Sequence, residues 1–200
     1  LPLAGAFQAA NALCALGLVM ASGSLEADDQ ESMKQLLESL AGAPGRLERI
    51  AGHPCGAAVY VDYAHAPGAL ETVLAELREH AEGRLICLVG CGGERDTGKR
   101  PIMGEIAARY SDHVIITDDN PRGEDPAAIR QAVLAGAPSA EEISDRAQAI
   151  QRAIAMAGSG DVVLLAGKGH EQGQVYADRT VVFDDRDVAR AAMRPPDKGA

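Results

Sequence analysis

HVIITDDNPRGEDP, residues 113–126, holds the passage that decides the fold. His113–Ile116 is a short apolar run, which predicts a buried strand. Two acids, an amide, a proline and an arginine follow at once, and Pro126 is placed to open a helix. The same passage from apolar strand to polar loop recurs along the chain. AAVYV runs into DYAHAP, LICLVG into CGGERDTGKR, and DVVLLA into GKGHEQG. Apolar strands that alternate with helices specify a parallel sheet covered on both faces. The expected class is therefore α/β, with a mostly parallel sheet and helices on both sides.

Working outward, residues Phe7–Met20 and about Ala27–Leu40 predict two helices. The first reads as an amphipathic core helix. The second has Leu36, Leu37 and Leu40 on one face and Asp28 and Asp29 near its start. AGAPG at Ala41–Gly45 is a breaker cluster and a natural boundary. Beyond it, RLERIA and AAVYVDYA predict strands, and Pro67–His80 a helix with proline in its first turn. RLICLVG predicts a strand, a helix then runs to Tyr110, and another opens near Pro126. SDRAQAIQRAIAMA predicts a helix, DVVLLAG a strand, QVYAD with TVVFDD a hairpin, and Asp185–Met193 a last helix. The tail RPPDKGA is expected to be disordered. No internal repeat or low-complexity tract occurs.

The 200 residues, 46% hydrophobic, suffice for one good core, or for one domain and part of another. A net charge of −10 argues against a nucleic-acid partner, because phosphate backbones need a basic patch. Small anions held by local arginines remain compatible with it. Cys14, Cys55, Cys87 and Cys91 form neither a C-x-x-C motif nor a metal-ligand set, so free thiols in a reducing compartment are expected. The apolar N-terminal stretch lacks a basic region and carries Gln8 and Asn11, unlike a signal peptide. No stretch is long and apolar enough for membrane insertion. The initial Leu suggests a piece of a longer protein.

Parallel strands bring their following loops to one edge of the sheet, where such sheets bind ligands. GERDTGK at Gly93–Lys99 fits the G-x-x-x-x-G-K phosphate loop, but Arg100 stands where Ser or Thr should hold magnesium. Glu94 and Asp96 would also repel phosphate. A Gly-rich turn, or a site in which Arg95 or Arg100 binds a carboxylate, are the alternatives. Pro121 fixes the turn that presents Arg122, whose guanidinium can hold a carboxylate through two parallel hydrogen bonds; a helix cap with a solvated arginine is the plainer account. GKGHE offers glycines for close backbone approach and then Glu171. Arg95, Arg122 and Glu171 together suit a ligand with carboxylate and ammonium ends, such as an amino acid. His65 is either a ligand contact or a helix-entry cap.

These loops, in this order, resemble the Mur ligases of peptidoglycan synthesis, and among them the members that add meso-diaminopimelate. GRLE at Gly45, DYAHAP at Asp62, GCGGERDTGKRP at Gly90, DDNPR at Asp118 and AGKGHE at Ala166 carry the likeness, which extends to about Arg190. The resemblance implies a Rossmann-like domain for the incoming amino acid at residues 43–193, preceded at 1–42 by the end of a central ATPase domain and followed by a tail at 194–200. It implies ATP and Mg2+ as cofactors, held mainly by a central domain upstream, and no catalytic residue in this chain. By motif, Arg95, Asp119, Asn120, Pro121, Arg122, Gly167 and Glu171 would bind meso-diaminopimelate. Asn11, Arg46, Asp62 and His65 would face the nucleotide; FQAAN keeps Asn11 of the family's motif, but Gln8 replaces an asparagine. The implied reaction joins the amino acid to UDP-N-acetylmuramoyl dipeptide in the cytoplasm, alongside other cell-wall enzymes. A sibling ligase that adds lysine, or a non-catalytic amino-acid-binding domain, are the alternatives.

Overall fold

This computed structural model of the chain describes residues 3–24 and 30–194. It separates into two compact units, residues 1–43 and 44–200. In the first, α1 (Ala6–Ala21) and α2 (Gln30–Glu38) are the only regular elements described. Only Gln8 and Ala12 of α1 are buried, whereas Leu13 and Leu18 are 65% and 73% exposed. The expectation of an amphipathic core helix is thus corrected. Its apolar residues lie all round the helix, and a unit with one other helix cannot cover every side. The predicted N-terminal part of α2, with Asp28 and Asp29, and the tail beyond Arg194 lie outside the described residues.

The second unit holds a six-stranded sheet in the order β1-β2-β6-β3-β4-β5. Its strands are β1 (Glu48–Ile50), β2 (Ala58–Asp62), β3 (Leu85–Val89), β4 (His113–Ile116), β5 (Glu141–Glu142) and β6 (Val162–Ala166). All pair in parallel except β1, which runs antiparallel to β2 at one edge. Every residue of β3 and β6 is buried, as central strands covered on both faces require. The two acids of β5 gave no apolar run from which to predict a strand. They pair instead with Ile115 and Ile116 at the other edge.

Helices α3 (Pro67–His80), α4 (Lys99–Tyr110) and α5 (Pro126–Leu134) cover one face, while α6 (Arg146–Met156) and α7 (Asp185–Ala192) cover the other. On the second face Ile86, Leu88, Val163 and Leu165 pack against Ala149, Ile150, Ala153 and Ala189. A separate hairpin, β7 (Gly173–Val175) and β8 (Thr180–Val182), lies between β6 and α7 in sequence, as QVYAD and TVVFDD predict. Aspartates start three helices: Asp125, Asp145 and Asp184 accept backbone N–H bonds from Ala127, Gln148 and Arg186. All four cysteines are free. No described helix is long and apolar enough to cross a membrane.

Helices α4 and α5 approach closely because Gly104 has no side chain. A Cβ there would lie 2.1 Å from the Val133 carbonyl oxygen. Gly104→Ala should therefore cost about 1–3 kcal/mol through overpacking. Urea unfolding checks this, since the midpoint should fall while the slope stays unchanged. An unchanged midpoint would show that the helices separate freely.

Candidate functional site

Strand register assembles the site. Asp62 pairs with Ala166, Leu165 with Leu88, and Val89 with Ile116, so the four loops leave one edge at one level. The loop after β3 leads to the α3–α5 face, and the segment after β6 leads through the hairpin to the α6–α7 face. Such a switch point opens a crevice. A cleft of about 280 Å³ lies there, lined by Tyr63, His65, Gly92, Arg95, Asp96, Lys99, Asp119, Asn120, Arg122, Gly167 and Glu171. Seven of the residues predicted from sequence thus share one wall system: His65, Arg95, Asp119, Asn120, Arg122, Gly167 and Glu171.

The turn at Asp119–Arg122 is held from several sides. Asn120 and Arg122 both have positive φ, 44° and 52°. Asparagine tolerates that conformation, but arginine enters it rarely, so surrounding bonds must hold it. The Arg122 amide donates to Val175 O at 3.0 Å, which ties the turn to the hairpin. Its Nη1 donates to Gly93 O at 2.9 Å and to Asn120 O at 3.2 Å. Gly93 permits this packing, because a Cβ there would meet Pro121 O at 1.9 Å. Among the described residues Arg122 and Arg95 form no ion pair, and Arg95 is exposed at the mouth. Pro121 is buried behind the turn and does not line the cleft.

Arg100 is corrected as a carboxylate-binding candidate. It is buried, and its Nη2 already donates to both Glu124 oxygens, at 3.0 and 2.8 Å. Asp118 likewise turns away from the cleft to pair with Arg130.

Sequence reasoning missed Lys168. It is 0% exposed, behind the residues that line the cleft, and its ammonium donates to Asn120 Oδ1 at 2.9 Å and Gly173 O at 2.7 Å. Asp119 Oδ1 lies 3.2 Å away and Glu171 Oε2 3.7 Å away. Burial pulls the Lys168 pKa below the usual lysine range, against the opposing pull of Asp119. A lysine between two glycines, straight off a wholly apolar strand, was the available signal. The glycines and Glu171 drew attention instead.

The residues expected to face a nucleotide fall into two groups. Arg46 sits 4.6 Å over the Tyr63 ring, and His65 packs edge-on to that ring. The His65 ring approaches Tyr63 O at 2.8 Å and makes no cap to α3. Asp62 is buried, with Oδ2 accepting from Leu47 N at 2.6 Å and Oδ1 from Ala64 N at 2.7 Å. Burial raises its pKa, and these two bonds oppose the rise. Its carboxylate thus anchors the stretch that carries Arg46. Asn11 belongs to the first unit, where its amide donates to Gln8 Oε1 at 3.2 Å. Among the described residues no group of three or more His, Cys, Asp or Glu side chains is arranged to hold a metal ion.

A family profile described as "Mur ligase, glutamate ligase domain" matches residues 45–169. The chain is 55% identical over 185 residues to the UDP-N-acetylmuramoyl-L-alanyl-D-glutamate--2,6-diaminopimelate ligase of Caulobacter vibrioides, covering 92% of this chain and 37% of that protein. It is 53% identical over 194 residues to the ligase of the same name from Mesorhizobium japonicum, covering 97% of this chain and 39% of the relative. A solved structure of a ligase with that name superposes with a TM-score of 0.75 at 39% identity, covering 96% of this chain and 39% of that one. The chain therefore spans less than half the length of these relatives.

Proposed function

The chain belongs to the Mur ligase family, and from that premise we propose that it is the C-terminal part of an ATP-dependent amide ligase. The ligase would add meso-diaminopimelate to UDP-N-acetylmuramoyl-L-alanyl-D-glutamate in peptidoglycan synthesis, in the cytoplasm. Residues 1–42 are the end of the central ATPase domain, and 43–193 the amino-acid-binding domain. One observation carries the substrate assignment: Arg122, with no carboxylate partner among the described residues, and Glu171 line the same cleft. The distal end of meso-diaminopimelate has both a carboxylate and an ammonium, whereas lysine has the ammonium alone. Arg122, with Arg95 at the mouth, takes carboxylate, while Glu171 takes the amine side.

In the reaction, ATP phosphorylates the side-chain carboxylate of the D-glutamate, releasing ADP, and the neutral amine of diaminopimelate attacks the acyl carbon of the resulting acyl phosphate, forming the amide as phosphate leaves and the nitrogen gives up a proton. This chain contributes the position of that amine, an entropic advantage. It also helps to exclude water when the domains close. Asp62 holds the Gly45–Glu48 stretch so that Arg46, beside Tyr63 and His65, faces the nucleotide. Asn11, in the first unit, is assigned to the nucleotide by its motif position alone.

The test is ligation by the full-length protein with ATP, Mg2+, UDP-N-acetylmuramoyl dipeptide, and either meso-diaminopimelate or lysine. Product with diaminopimelate and little with lysine is expected. Equal use of lysine overturns the assignment, and diaminopimelate binding without ligation would favour a binding module. The 200-residue chain alone should neither hydrolyse ATP nor form amide bonds. Turnover by this chain that Lys99→Ala abolishes would instead revive a phosphate-loop role for Gly93–Lys99.

A further inference from the structure

The orientation of the Asn120 amide is fixed by what surrounds it. Lys168 Nζ and the Val175 backbone N–H both lie within bonding distance of the same atom, at 2.9 and 3.0 Å. An ammonium and a peptide N–H can only donate, so that atom must be the carbonyl oxygen Oδ1. The amide nitrogen therefore points the other way, and it donates to Glu171 Oε2 at 2.8 Å. The Asn120 backbone N–H is itself held by Gln174 Oε1 at 3.2 Å. Lys168 has no exposed surface and lines no part of the cleft, so it is not placed to touch the ligand.

We propose that Lys168 is a positioning residue: by orienting the Asn120 amide it aims the Glu171 carboxylate at the ligand's ammonium. The proposal rests on the amino-acid-binding role assigned to this cleft. Glu171 is anchored on one side by Asn120 and drawn by the Lys168 charge at 3.7 Å, with 35% of its side chain open to the cleft. Without Lys168 the amide keeps only the Val175 N–H to hold its oxygen. Its orientation is then less firmly fixed, and Glu171 loses the neighbouring charge as well. Asp119 also loses its cationic neighbour. The effect on function is on recognition of the amine.

Steady-state kinetics of the full-length ligase test this, with wild type, Lys168→Met, Asn120→Asp and the double variant. Asn120→Asp keeps an oxygen acceptor for Lys168 but puts a carboxylate oxygen where an N–H donor faced Glu171. Each single variant should raise the KM for meso-diaminopimelate at least tenfold and leave the KM for ATP within about twofold. The double variant should be no worse than the more affected single variant, because both changes break one chain of contacts. Parallel increases in both KM values, or multiplication of the two effects, would mean that Lys168 serves only the fold. Should Lys168→Met not fold, Asn120→Asp decides, and an unchanged diaminopimelate KM overturns the proposal. Wild-type enzyme that fails to use diaminopimelate would refute the substrate assignment itself, a separate result.

Discussion

Arg122→Ala should lower the catalytic efficiency of the full-length protein with meso-diaminopimelate by about 30-fold or more, while use of lysine, expected to be poor from the outset, changes far less. Removing one partner of a buried charge pair costs roughly 2–5 kcal/mol, and each 1.4 kcal/mol is about tenfold. Lysine offers no distal carboxylate, so it has no such partner to lose. The geometry sharpens the expectation for Arg122→Lys. In the native turn, Nη1 is already engaged by Gly93 O and Asn120 O. A guanidinium can hold these carbonyls and still present further N–H groups in a fixed plane to a carboxylate. An ammonium has three donors and no such plane, so it cannot do both with the same directionality. Arg122→Lys should therefore be nearly as impaired as Arg122→Ala. Catalytic efficiencies with both amino acids, for wild type and both variants, provide the measurement. If the two substrates fall in parallel, Arg122 supports the turn or binds a group common to both.

The sequence made the cleft legible because its parts are local. Each of the strands β2, β3, β4 and β6 is an apolar run, and each is followed by its own polar loop. Parallel register then leaves one edge at which those loops can meet. What was not legible depends on long-range pairing. Arg100 and Arg95 look equivalent in GERDTGKR, yet Arg100 is the first-turn residue that folds under the loop to Glu124, 24 residues away. Nothing local distinguishes them. Lys168 was hidden for a related reason. A lysine beside glycines reads as a solvated turn until Asp119 and Asn120, some 50 residues earlier, are brought over it. The two-residue β5 has no hydrophobic pattern at all, and its pairing comes from the neighbouring strand.

Backbone conformation was legible only in part. Pro121 implied a constrained turn, but not that both of its neighbours, Asn120 and Arg122, adopt positive φ. That conformation needs tertiary bonds: Val175 N to the Asn120 side chain, and the Arg122 amide to Val175 O. The hairpin β7–β8 thus has a purpose that its sequence does not display. It is the buttress of the turn that carries Arg122.

Breaking the buried pair Arg146–Asp185 from one side should cause the largest single loss of stability outside the apolar core. Arg146 is the first residue of α6, where the helix dipole disfavours a cation. Its position is explained by its partners. Nε and Nη2 reach the two oxygens of Asp185 at 2.8 and 2.7 Å, and Nη2 also donates to Ala166 O at 2.9 Å. The two side chains are 1% and 0% exposed. Arg146→Met would leave Asp185 buried without its cation, which costs about 3–5 kcal/mol. At about 2–4 °C per kcal/mol for a domain of this size, Tm should fall by about 6–20 °C. The double variant Arg146→Met/Asp185→Leu should recover much of that loss, because apolar groups can replace a buried pair once neither charge remains. It should not recover all of it, since Ala166 O stays without its donor at the end of β6. Thermal unfolding of wild type, both single variants and the double variant measures the coupling. Losses that simply add would mean that the two charges are solvated independently, and that the end of β6, which leads to Gly167 at the cleft and Lys168 behind it, is not held by this pair.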